Sequence, residues 1–280
     1  MLKLTYGVLK KPQLVQTCSR PAVYLDHWAL MNISEDSAKA DRFRKVLHEK
    51  SGTLELSIAN LLEFATVLDE RHAKAAEHFL QNLYPNLAFI EVVTKPVIDR
   101  EDTQPQTGPR FDPHLDDRYL NAILPLNSVS SVYPVSFDGL FTQSLTPPYR
   151  KIRNELERAV EPLVTKAQQN WKAGRKLLRL PSKHEHERET RCLQIQLLQF
   201  FVTSKGRWTL KQQMDFFHAV VPIAYCDIVL VDKMWADQAH RFCKANPTAK
   251  RIAATFSDKT GEMDKFWAAL ENYGRSARIK

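Results

Sequence analysis

Along this chain, short runs of apolar residues alternate with stretches whose apolar positions recur every three or four residues, the pattern of strands followed by helices. Ala22-Val23-Tyr24-Leu25 reads as a buried strand ending at Asp26. A helix is expected next, with Ser37 as its cap and Phe43, Val46 and Leu47 on one face, broken at Ser51-Gly52. Leu54 to Ile58 alternates like a second strand, Asn60 to Asp69 and Lys74 to Leu83 read as helices, and Phe89 to Val93 as a third strand. The rhythm returns near Thr209. A helix from Thr209 to Val221 is expected to end at Pro222, and Ile228 to Val231 forms a strand ending at Asp232. A helix from Lys233 to Cys243, a strand from Arg251 to Phe256 and a helix from Thr260 to Tyr273 follow. Strands separated in this way by helices predict an α/β fold on a parallel sheet.

Between the two halves the pattern changes. Residues 95–148 are rich in proline and acidic turns such as Phe111-Asp112-Pro113-His114, residues 149–180 are helical and basic, and 185–203 form another amphipathic helix. The expected organisation is a discontinuous domain, 20–95 plus 209–275, carrying a large, mainly helical insertion at 100–205 and an N-terminal arm at 1–19.

Charge sharpens this division. The net charge of +8 lies mostly in one place: residues 150–211 hold 15 basic and 6 acidic side chains, whereas residues 1–95 hold 12 and 11. A local surplus of this size points to a polyanionic partner. Arg150, Lys151, Arg153, Lys172, Arg175, Lys176 and Arg179 are the candidate nucleic-acid contacts, with Tyr149 and Trp171 among them to stack on bases. Lys205 and Arg207 extend the patch towards the next α/β half.

Other classes recede. Only 8 glycines occur, and neither G-x-G-x-x-G nor G-x-x-x-x-G-K-[ST] is present, so the common nucleotide-binding loops are absent. Four cysteines without a C-x-x-C pair argue against a disulfide framework or structural zinc and for a reducing, cytoplasmic setting. The N-terminus does not read as a signal peptide, and the most apolar stretch, Phe216 to Val231, is too short and too interrupted to span a membrane.

The candidate chemistry lies in acids at element ends. Asp26 and Asp232 each follow four apolar residues, at the carboxyl end of a predicted strand, where open parallel sheets bind ligands. Glu63 and Asp215 sit among apolar neighbours on helices, where a carboxylate is costly unless something cationic satisfies it. Four converging carboxylates would repel one another, and a hard divalent cation, Mg²⁺ or Mn²⁺, would relieve that repulsion.

In order and spacing, Val23-Tyr24-Leu25-Asp26, Leu56-Ser57-Ile58 leading to Glu63, Asp215-Phe216-Phe217-His218-Ala219 and Asp227-Ile228-Val229-Leu230-Val231-Asp232 resemble the PIN-domain nuclease family, over about half the chain. The resemblance implies a PIN-like three-layer fold in which Asp26, Glu63, Asp215 and Asp232 hold Mg²⁺ or Mn²⁺ for phosphodiester hydrolysis, most simply as an endoribonuclease. It extends to toxin-like or defence roles and to a protein inhibitor as partner. Ser57, Asn60, His218, Asp227 and Asp258 are candidates for a supporting shell around the metal. The chain departs from the family at Leu230, where a hydroxyl residue is common, at His27-Trp28, and in the long separation of Glu63 from Asp215. The alternative is a PIN-like module that binds nucleic acid or protein without catalysis.

Overall fold

A computed structural model describes residues 1–6, 12–64, 69–103, 113–117, 120, 135–142, 189–203, 210–245 and 252–274, with isolated positions between 151 and 169. The chain opens with an antiparallel hairpin, β1 (Leu2–Tyr6) and β2 (Pro12–Gln16). Then come β3 (Ala22–Leu25), α1 (His27–Glu35), α2 (Ser37–Lys50), β4 (Thr53–Leu56), α3 (Ile58–Phe64), α4 (Glu70–Leu83), β5 (Leu87–Phe89) and α5 (Thr94–Thr103). After the middle segment follow α6 (Glu189–Thr203), α7 (Leu210–Tyr225), β6 (Ile228–Leu230), α8 (Lys233–Ala245), β7 (Ala254–Phe256) and α9 (Glu262–Asn272).

Five strands form one parallel sheet in the order β5-β4-β3-β6-β7, as the strand–helix alternation predicts. Successive strand residues point to opposite faces, and the sheet is covered on both. Val23, Leu25, Leu54, Leu56 and Leu230 pack with Leu30, Phe43, Leu80 and Phe266 of α1, α2, α4 and α9. Ala22, Tyr24 and Val229 pack with Leu193, Ala219 and Trp235 of α6, α7 and α8 on the other face. Burial on both faces explains why the strands read as nearly continuous apolar runs. It extends even to Glu55, fully buried in β4 and close enough to the part-buried Met1 ammonium to oppose the lowering of its pKa by burial.

Several boundaries differ from the sequence expectation for identifiable reasons. The cap of α2 is Asp36, whose Oδ1 accepts the N–H groups of Ala38 and Lys39, with Ser37 as the first helical residue. Helix α1 was not anticipated; Asp26 is its N-cap as well as the residue that ends β3. Helix α7 continues through Pro222 to Tyr225. An interior proline costs about 3 kcal/mol, but Ile223, Ala224 and Tyr225 beyond it are buried against the core, and each contributes a gain of comparable order. The third strand stops at Phe89, because Glu91 N–H donates to His114 O and Asp116 N–H to Phe89 O, turning the chain onto 113–116. Between α2 and β4, Ser51 takes a left-handed φ of 53°. At Gly52 a Cβ would lie 2.8 Å from Pro21 O, so the approach of this turn to the start of β3 admits only glycine.

Parts of the arm and of the middle segment enter these cores. Leu2 and Leu14 of the hairpin are buried in the first core, together with Val135, Phe137 and Phe141. Val97, Leu193 and Leu197 enter the second. Helix α4 ties down 135–142 through two side chains one turn apart. Gln81 bonds Val135 O and Phe137 N–H, and Glu77 Oε1 accepts from Phe141 N–H, Thr142 N–H and the Thr142 hydroxyl at 2.7–3.0 Å. Glu77→Ala should therefore cost about 2–5 kcal/mol in chemical denaturation, since it strands two backbone donors. Glu77→Gln, which retains an acceptor oxygen, should cost less. Among the described residues no helix is long and apolar enough to cross a membrane.

Candidate functional site

The order of the sheet reverses between β3 and β6: from β3 the chain winds outward through β4 to β5, and from β6 to β7 on the other side. Such a switch point opens a crevice at the carboxyl ends of the two central strands. Asp26 follows β3 and Asp232 follows β6, so both acids stand at that crevice. Asp26 N–H donates to Leu230 O at 3.0 Å. Its Oδ1 accepts from Trp28 N–H at 2.9 Å and its Oδ2 from Asp232 N–H at 3.3 Å. Each acid also begins a helix, since Asp232 O accepts the N–H groups of Trp235 and Ala236 at the start of α8.

Asp215, on α7, is 8% exposed. It lines a cavity of about 510 Å³ together with Asp232, Asp258, Phe200, Lys233 and Arg241. Asp215 and Asp232 both bear on Asp26: burial, then the charges of Asp232 and Asp215, push the Asp26 carboxyl well above its ordinary value of 3.8, against two backbone N–H bonds that lower it.

Glu63 stands to one side. Its Oε2 lies 3.8 Å from Nδ1 of His218, a buried residue one turn beyond Asp215 on α7. Burial first, then the charges of Glu63 and Asp26, raise the Tyr24 phenol well above 10.0, which places both acids around that ring.

The expected supporting shell divides. Asp258, exposed, lines the cavity with Asp215 and Asp232. Ser57 and Asn60 are buried and occupied with each other: Tyr24 Oη lies 3.0 Å from Ser57 Oγ, and Asn60 Oδ1 accepts from Ser57 N–H at 2.9 Å. Asn60 Nδ2 donates to Leu25 O at 3.0 Å, so this network locks the start of α3, and with it Glu63, to the residue preceding Asp26. Asp227 lies at the opposite end of the sheet. It binds the Arg20 guanidinium at 2.6 Å and the Ala22 N–H at 2.7 Å, and so takes no part in the crevice, because the strand it opens points its other end there.

Of the basic candidates, Lys151 is at an exposed helical position. Arg150, Arg153, Lys172, Arg175, Lys176, Arg179, Lys205 and Arg207 lie outside the described residues. The cations that line the cavity are Lys233 and Arg241, which lie outside the basic segment at 150–211. Their signal is positional: Lys233 follows the fourth acid, and Arg241 is eight residues further on, on the same face of the helix.

Among the described residues no three His, Cys, Asp or Glu side chains are drawn together into a metal cage. The donors at the crevice are nonetheless all carboxylate oxygens that bear on one another electrostatically. That donor set suits Mg²⁺ or Mn²⁺, since Mg²⁺ keeps several waters and takes only one or two carboxylates directly. No protein-family model, curated protein or solved structure matches the chain.

Proposed function

We propose that this protein is a metal-dependent nuclease, a PIN-like endoribonuclease in keeping with the resemblance carried by its four acids. One observation carries the reading: Asp26 and Asp232 meet at the switch point of the sheet, with Asp215 close enough to raise the Asp26 carboxyl. Like charges in a part-buried crevice are a standing cost that a divalent cation converts into a binding site. Asp26, Asp215 and Asp232 would hold Mg²⁺ or Mn²⁺, which supplies an acidified water and neutralises charge developing on a phosphodiester. The backbone N–H groups of Trp28 and Asp232 orient the Asp26 carboxylate for this role. The Tyr24–Ser57–Asn60 network fixes the start of the helix that carries Glu63 against the strand before Asp26, and from there the Glu63 carboxylate would support the ion held by the three aspartates.

Cleavage of a labelled RNA strand should need Mg²⁺ or Mn²⁺, produce internal cuts and stop on addition of EDTA. The pairing of Glu63 with His218 favours a second reading, a PIN-like module that binds without cutting. That reading predicts RNA binding and no cleavage at any metal concentration.

A further inference from the structure

Helix α8 presents Lys233, Met234, Asp237, Gln238 and Arg241 to the carboxylate cavity, the i, i+1, i+4, i+5, i+8 face of one helix. Charges on this face are not balanced internally. Asp237 is bonded to Lys259 from the neighbouring loop, which cancels the one acid on the face. Lys233 and Arg241 are exposed and form no ion pair or side-chain hydrogen bond among the described residues. By contrast Arg20, Arg42, Arg44 and Arg71 are each bonded to a carboxylate.

The cavity thus has Asp215, Asp232 and Asp258 on its lining and, beside them, the two exposed cations Lys233 and Arg241. The carboxylates attract a cation, and Lys233 and Arg241 attract an anion. A divalent cation carrying a phosphate satisfies both. The two basic positions are eight residues apart, roughly 12 Å along the helix axis, too far for a single phosphate to bridge. Two phosphates of one strand can take them.

We propose that Lys233 and Arg241 are the phosphate seat of the nucleic-acid strand. Lys233, adjoining Asp232, holds the phosphate next to the scissile bond. Arg241, two turns along, holds a more distant one, so that the strand runs along α8 away from the carboxylates. Phe200 and Met234 give the cavity an apolar wall against which sugar and base lie. The assignment rests on the nuclease reading for the identity of the strand, and it places specific phosphate contacts at the site itself, apart from the basic segment at 150–211.

The test is fluorescence anisotropy of a labelled RNA oligonucleotide with the full chain across a salt series, with Ca²⁺ in place of Mg²⁺ so that no strand is cut. Lys233→Gln and Arg241→Gln should each weaken binding about five- to tenfold at low salt. Each should also reduce the slope of log K against log salt by about 0.7, the value for one phosphate contact on a single strand. Lys244→Gln, on the same helix but outside the cavity, should leave both unchanged, and unaltered thermal transitions will show that all three variants fold. Wild-type slopes in both cavity variants, an equal loss in Lys244→Gln, or no RNA binding by the wild type would each overturn the seat. If the slopes fall but the wild type never cuts RNA, the seat stands and the nuclease reading fails. If cutting depends on the carboxylates and the slopes do not change, the seat alone fails.

Discussion

Asp26→Asn is expected to abolish metal-dependent RNA cleavage, with a loss of at least ~100-fold, more than the loss of an outer partner of a metal ligand typically costs. The substitution should leave the fold intact. An asparagine retains one acceptor for the two backbone donors that Asp26 serves, from Trp28 and Asp232, and it removes a charge that Asp232 and Asp215 oppose. In EDTA the variant should therefore melt at or above the wild-type temperature, while its cleavage is lost.

The pH dependence follows with a definite sign. The Asp26 carboxyl is raised above its ordinary 3.8 in the folded chain, so between those two values the folded state holds a proton that the unfolded state has released. Stability without metal must then fall as pH rises through that interval and recover as pH is lowered into it. Asp26→Asn should flatten this slope. Protons and metal compete for the same carboxylate, so wild-type cleavage should rise with pH over the same interval. Full cleavage by a correctly folded Asp26→Asn variant would remove the basis for assigning catalysis to this crevice.

The second large effect concerns stability. Phe64 is fully buried at the end of α3, stacked on Phe141 with ring centroids 4.1 Å apart and in edge contact with His27 at 4.7 Å. It joins three separate parts of the chain: the helix that carries Glu63, the anchored segment 135–142, and the residue after Asp26. Phe64→Ala should cost about 3–5 kcal/mol and lower the melting temperature by roughly 10 °C. Phe64→Leu, which keeps most of the volume, should cost well under half of that. A loss below about 1 kcal/mol for the alanine variant would mean that this junction collapses around the cavity and does not brace the site. Because His27 adjoins Asp26, any cleavage activity should fall in Phe64→Ala at temperatures well below its transition.

Much of the architecture was legible from local pattern. The apolar runs before Asp26 and Asp232 are strands, and the periodic segments around Phe43, Leu80 and Trp267 are helices, because burial on one or two faces writes a period directly into the sequence. The features without a local signal depend on distant partners. The N-terminal arm is a hairpin whose Gln16 carbonyl oxygen Oε1 accepts Phe89 N–H and whose Leu2 N–H bonds Pro85 O. Helix α7 outlasts its proline because the core beyond it is buried. Asp227 and Asp232 look alike in the sequence, one at each end of the same apolar run. Only the direction of β6 sends one to Arg20 and the other to the crevice.

The sequence by itself determined that this is an α/β chain with acids at the ends of two strands, since hydrophobic period and turn residues are local properties. Tertiary structure alone decided that those two strands are neighbours and that the sheet reverses between them. It also decided that Asp215 shares their field while Glu63 faces His218, and that Lys233 and Arg241 look into the same cavity. The physical reason is that strand order, burial and electrostatic coupling are relations between residues as far as 206 positions apart, as Asp26 and Asp232 are, on which the period of any one segment carries no information.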